Sequence, residues 1–279
     1  MFTVPELAAK ALGSYLAKHL KRRFGSTDGG LTEFISSAAR LALDSIGNSD
    51  ALYHNVEHTM LVTLVGYDIM RGRALLIPTD SSDFIHLIIA CLFHDIGYVR
   101  GILQGDSPHD YVINANGEKI KLPRGASDAM LLPYHVDRSK LFVTERMGKS
   151  KYIDADRIGR TIEYTRFPPQ PKTEDKDNEE GLLVRAADLI GQFGDPHYLR
   201  KANALYCELE EAGVNRQHGY ASPVDLIDQY PQFYWNSISA HVQTAIRYLN
   251  VTSSGRQWVA TLNSNVFRAE RARSSSPAS

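Results

Sequence analysis

Cysteine is scarce: Cys91 and Cys207 are the only two in 279 residues. That excludes a disulfide framework and fits a reducing compartment. Cys91 lies in the apolar run Ile88-Ile89-Ala90-Cys91-Leu92-Phe93 and reads as a small buried residue. No apolar run approaches the ~18 residues that a membrane span requires. A charged leader followed by a short apolar segment is also missing, so the sequence predicts a soluble, cytoplasmic protein with no membrane span. Net charge is nearly absent: 31 Lys and Arg stand against 32 Asp and Glu, giving -1. So weak a field excludes general nucleic-acid binding, which needs a strong basic surface. Strand alternation is weak everywhere, and there is no internal repeat.

What is present is helical texture. With 43% hydrophobic and 23% charged residues, the chain can bury a sizeable core. Leu7, Ala8, Ala11, Leu12, Tyr15, Leu16, Leu20 and Phe24 recur at helical spacing, predicting a helix over 4–24. Pro5 suits its first turn and Gly25 its end. Its basic end, Lys18 to Arg23, has two readings: cations complementing the helix dipole, or a contact for an anionic lipid or partner. Further helical patterns cover 31–47, 53–73 and 81–98, the last nearly all apolar and hence central. The stretch 101–134 is rich in Gly, Pro and Asn, and Tyr111 to Leu122 around Asn116-Gly117 suits a short hairpin. A connection this long is functional or mobile as a rule, so a lid or an insertion is expected there. Helical texture returns over 135–166. The acidic run 174–180 reads as a solvated loop. Helices follow over 181–194, 196–212, 223–250 and 256–270. The expected class is all-α: N-terminal helices 1–48 packing on a core of 49–271, with a disordered tail from 272 to 279.

Chemistry concentrates in a few residues. His54 and His58 lie four apart in Tyr53-His54-Asn55-Val56-Glu57-His58. On one helix that spacing puts both imidazoles on one face. His94-Asp95 closes the apolar segment 81–98. A carboxylate at the end of a buried helix needs a partner, either a metal or a salt bridge. Gly97 gives the backbone room or ends the helix. Asp188 is a second acid in an apolar helix, with Arg185 three residues away as its alternative partner. Imidazole and carboxylate together suit a divalent metal that activates water.

The order His, His-Asp, Asp across residues 50–195 resembles the HD-domain metal-dependent phosphohydrolase superfamily. Tyr53-His54-Asn55-x-x-His58 resembles more narrowly the site of the class I cyclic nucleotide phosphodiesterases. The resemblance implies an HD-domain helical bundle and two divalent ions, whether Mg, Mn, Zn or Fe. His58, His94, Asp95 and Asp188 would ligate the first, and Asp95 would bridge to the second. A metal-bridged hydroxide would attack a phosphoester, most readily a cyclic nucleotide or related phosphodiester, with His54 as general acid. Tyr98 departs from the phosphodiesterase pattern, which has histidine there. Asn55, Tyr98, Arg100 and Gln192 are candidates for holding a small phosphorylated substrate such as a nucleotide. Arg124, Arg138 and Arg166 are further phosphate candidates, and Phe233-Tyr234-Trp235 suits either base stacking or packing. His135 is a candidate extra ligand, and His109 sits in a loop-like context. Alternatives are a nucleotide phosphomonoesterase, a di-iron oxygenase on the same scaffold, and a non-catalytic binding module. A homodimer is compatible with the sequence.

Overall fold

Thr3 starts the first helix. Its hydroxyl accepts from Glu6 N, and Glu6 accepts from Thr3 N, a reciprocal cap that fixes the beginning of α1 (Val4–Phe24). In this computed structural model, which describes residues 3–25, 29–169 and 178–275, α1 lays Leu12, Leu16 and Leu20 against α2 (Gly29–Ile46). Both helices then join α3 (Val56–Leu76) and α4 (Ser81–Phe93). The ten residues from Phe84 to Phe93 are all buried, so α4 is central as its composition predicts. One continuous core runs from Ala9 to Ala269, so the first 48 residues share it rather than forming a layer of their own.

Two more short helices, α5 (His135–Met147) and α6 (Ala155–Ile162), flank α4. Next comes α7 (Glu179–Phe193), packed on α3. A Cβ on Gly191 would meet Val62 of α3 at 2.8 Å, so glycine permits that close approach. The chain continues through α8 (Tyr198–Glu211), α9 (Val214–His218), α10 (Pro223–Phe233), α11 (Ser239–Leu249) and α12 (Ser253–Ser275). The class is all-α. No helix among the described residues is long and apolar enough to cross a membrane.

Several boundaries differ from expectation, each for a local reason. Asn55 caps α3, accepting from Glu57 N and His58 N, so His54 precedes the helix instead of lying on it. Residues 223–250 are broken by a π-turn at Tyr234–Ile238, just after Pro231, which cannot donate to the helical ladder. Glu179 and Glu180 of the acidic run open α7, where acids complement the dipole; the rest of that run, to residue 177, lies outside the described residues. The last helix extends to Ser275, so the tail expected to be disordered from 272 begins as helix; residues 276–279 lie outside the described residues.

The expected hairpin forms, but shorter: β1 (Asp110–Val112) pairs antiparallel with β2 (Lys119–Lys121), Tyr111 opposite Ile120. The surrounding segment is not a free flap. Arg138 of α5, with its side chain fully covered, reaches Gly97 O, Val99 O, Val112 O and both oxygens of Asp106. Arg100 pairs with Asp128 and Asp50, and Ser127 with Glu211. Of the two expectations for 101–134, lid or insertion, these contacts fit an insertion anchored at several points. Arg138, fully covered, is committed to holding this insertion, and Arg166 pairs with Glu163 and Asp137.

Removing one partner of a buried ion pair leaves an uncompensated charge, which costs roughly 3–5 kcal/mol. Arg138→Leu should lower the unfolding free energy by about that amount in urea denaturation. A loss of under ~1 kcal/mol would contradict the anchoring role assigned to Arg138.

Candidate metal centre

Four elements deliver the cluster. His58 comes from the first turn of α3, His94 from the C-cap of α4, Asp95 from the turn after it, and Asp188 from α7. His58 Nε2 lies 3.3 Å from Asp95 Oδ2 and 3.2 Å from Asp188 Oδ1. His94 Nε2 lies 3.1 Å and 3.4 Å from the same two oxygens. Four donor atoms from distant parts of the sequence thus converge on one point.

The contacts are close, yet they are not hydrogen bonds. His58 Nε2, His94 Nε2 and Asp95 Oδ2 are buried without a hydrogen-bond partner. Orphaned polar atoms cost about 1–3 kcal/mol each, more when charged, so several in one place call for an explanation. A cation at their centre provides it. His94 Nδ1 donates to Cys91 O at 2.9 Å, which leaves the Nε2 lone pair for a ligand. Burial opposes charge on His94, but Asp95 and Asp188 beside it push its pKa well above the ordinary range. The same burial acts on Asp95 and Asp188, where neighbouring His94 overrides it and holds both carboxyls below theirs. The two carboxylates demand positive charge at this point, from a proton or from a metal.

Asp188 does not take its alternative partner. Arg185 donates to Tyr164 O at 2.7 Å and lies over the Tyr164 ring, away from the carboxylate. His135 does approach the cluster. Gly97 allows this, since a Cβ there would strike His135 O at 2.0 Å. Ser139 Oγ accepts from Gly97 N and donates to His94 O, locking α5 to the turn. His135 Nδ1 donates to Leu132 O at 2.6 Å, and its Nε2 faces Asp95 Oδ1 at 3.7 Å. Burial pushes the His135 pKa down, which keeps its ring neutral and able to ligate.

His54 stands beside the cluster in a different state. Its Nδ1 lies 2.5 Å from Glu208 Oε2, and Glu208 Oε1 accepts from Tyr53 N and His54 N. Burial lowers the His54 pKa, but the Glu208 carboxylate outweighs it and raises the value to about 9. The Tyr98 ring stacks on His54 at 4.7 Å between centroids and 12° between planes. It stacks equally on His135, at 4.7 Å and 20°. A ring nitrogen of His54 falls within 4.8 Å of ligand atoms on His58 and Asp95. The raised pKa favours a protonated His54, which in that state offers no lone pair and can donate a proton.

A family model described as Npun_R2479-like matches residues 2–272. The chain belongs to that family. The match covers every residue of the cluster, Glu208 included. No curated protein matches the chain.

Other expected site residues fall elsewhere. Asn55 is engaged in capping α3 and in a bond to Leu52 O, and Arg100 pairs with Asp128, Asp50 and Ala126 O, so both have structural roles away from the cluster. Gln192 lies half-buried one turn beyond Asp188 and makes no side-chain hydrogen bond among the described residues. Tyr234 is buried and Phe233 packs on Phe193 and Phe167, so these two serve packing, whereas Trp235 is exposed and donates to Glu270. Glu208 was not found from sequence. It sits 154 positions from His54, in an acidic stretch that resembles a solvated face.

Asp95→Asn and His58→Ala should each abolish retention of a divalent metal. Metal content by mass spectrometry of purified protein checks this, and wild-type content in either variant would remove that residue from the centre.

Proposed function

We propose that the chain is a metal-dependent phosphohydrolase acting on a phosphodiester, with a cyclic nucleotide as the leading substrate class. One observation carries this reading. Orphaned ligand atoms of His58, His94 and Asp95 lie beside a histidine clamped in its acidic form. These three and Asp188 would hold one divalent ion, and Asp95 Oδ1 with His135 Nε2 would hold a second. Bound ions would supply a Lewis acid for phosphoryl oxygen and an acidified water as nucleophile.

The protein's own residues set the proton path. Glu208 occupies His54 Nδ1, so the transferable proton is the one on Nε2. Glu208 stabilises the imidazolium along one edge, and the Tyr98 face adds a cation–π contact. An alkoxide leaving from phosphorus needs such a donor, and once it has given its proton, His54 is recharged from solvent at its partly open edge. The choice of a cyclic nucleotide rests on the Tyr53-His54-Asn55-x-x-His58 resemblance. The geometry around His54 suits any phosphodiester with a poor leaving group.

A second reading is favoured by His135. An added imidazole ligand suits iron, and with it a di-iron oxygenase. Bound iron together with oxygen consumption would select it.

The test is a turnover screen over cyclic nucleotides, linear dinucleotides and nucleoside monophosphates, with Mg²⁺ or Mn²⁺ supplied. His54→Ala should keep its metals and lose about 10²–10⁴-fold in turnover. Glu208→Gln should fall in the same direction by a smaller factor, because the acid remains but is less charged. Unchanged turnover in His54→Ala would remove it from the acid role, and no hydrolysis of any phosphoester by the metal-loaded protein would overturn the reading.

A further inference from the structure

The C-terminal ends of α1 and α3 meet at one edge of the molecule. Tyr15 and His19 of α1 pack on Tyr67 of α3, and Arg23 Nη2 donates to Ala74 O at 3.1 Å. The two helices therefore run in the same direction and finish together. Leu75 and Leu76, which end α3, are 65% and 50% exposed. Lys18, Lys21, Arg22 and Arg23 are exposed on the neighbouring end of α1.

The charge here is unlike that of the chain. Helix α1 carries five Lys and Arg and a single acid, Glu6, which is engaged in the cap at its far end. Lys18, Lys21 and Arg22 make no ion pair among the described residues. Acids after α3 are already committed: Asp80 caps α4, and Asp83 pairs with Arg157 and Arg73. Complementing the helix dipole accounts for cations in a last turn. It does not account for two adjacent leucines held out in water beside them.

We propose that this edge docks the protein on an anionic lipid bilayer, with Leu75 and Leu76 entering the interface and the α1 cations meeting the headgroups. Apolar insertion and electrostatic attraction are each weak alone and add when they share one face. The proposal is independent of the metal centre, which lies at the opposite end of α3, in its first turn.

Sedimentation of the full chain with phosphatidylcholine vesicles, with and without phosphatidylglycerol, tests it. Wild type should bind only the anionic vesicles, and more weakly as salt rises. Lys21→Glu with Arg22→Glu should weaken binding by about 10-fold or more. Leu75→Ser with Leu76→Ser should weaken it to a similar degree, with melting temperature and metal content unchanged because both side chains face solvent. Failure of the wild type to bind anionic vesicles would overturn the proposal. So would undiminished binding by either double variant. A dimer in solution that the leucine variant dissociates, without vesicle binding, would assign the edge to a second copy of the chain instead.

Discussion

Two carboxylates, Asp95 buried and Asp188 partly so, are aimed at the same two imidazoles and govern this structure. Asp95, Asp188, His58 and His94 converge from four separate elements, and among the described residues no Lys or Arg pairs with either carboxylate. Like charges so close are tolerated in a protein interior only if positive charge lies between them. The histidines can supply lone pairs, and for His94 the hydrogen bond from Nδ1 to Cys91 O leaves Nε2 as the nitrogen that offers one. The central packing then serves a definite purpose. Helix α4 is buried all round, so its C-terminal His94 is held rigidly, and Gly191 lets α7 press Asp188 against the start of α3.

A second layer tunes what stands beside the cluster. Tyr98 is a wedge with His54 on one face and His135 on the other. Through it, the acid and the additional imidazole share one support. Glu208 raises the pKa of His54, while burial lowers that of His135. Two histidines on either side of one ring are thereby shifted in opposite directions, as the proposed acid and ligand roles require.

Much of this was legible in the sequence, for identifiable reasons. A carboxylate in an apolar helix is conspicuous, which marked Asp95 and Asp188. The helical class followed from periodicity, and the hairpin from Asn116-Gly117. What failed was long-range or depended on a single turn. The cap at Asn55 moved His54 off the helix, so the one-face argument for the two histidines does not hold; they meet because the chain bends at the cap. Arg100 and Arg138 looked like phosphate binders because an arginine's partner cannot be read from its neighbours. Glu208 was invisible because its role depends on a contact between α8 and the segment before α3. Tyr98 read as a departure from a pattern; the structure makes it the support of both histidines.

The central claim is that the convergence point holds a divalent cation. Anomalous diffraction from crystals of the full chain equilibrated with Mn²⁺ tests this most directly. The account expects a peak bounded by His58 Nε2, His94 Nε2, Asp95 Oδ2 and Asp188 Oδ1. Well-ordered side chains there with no peak between them would contradict it.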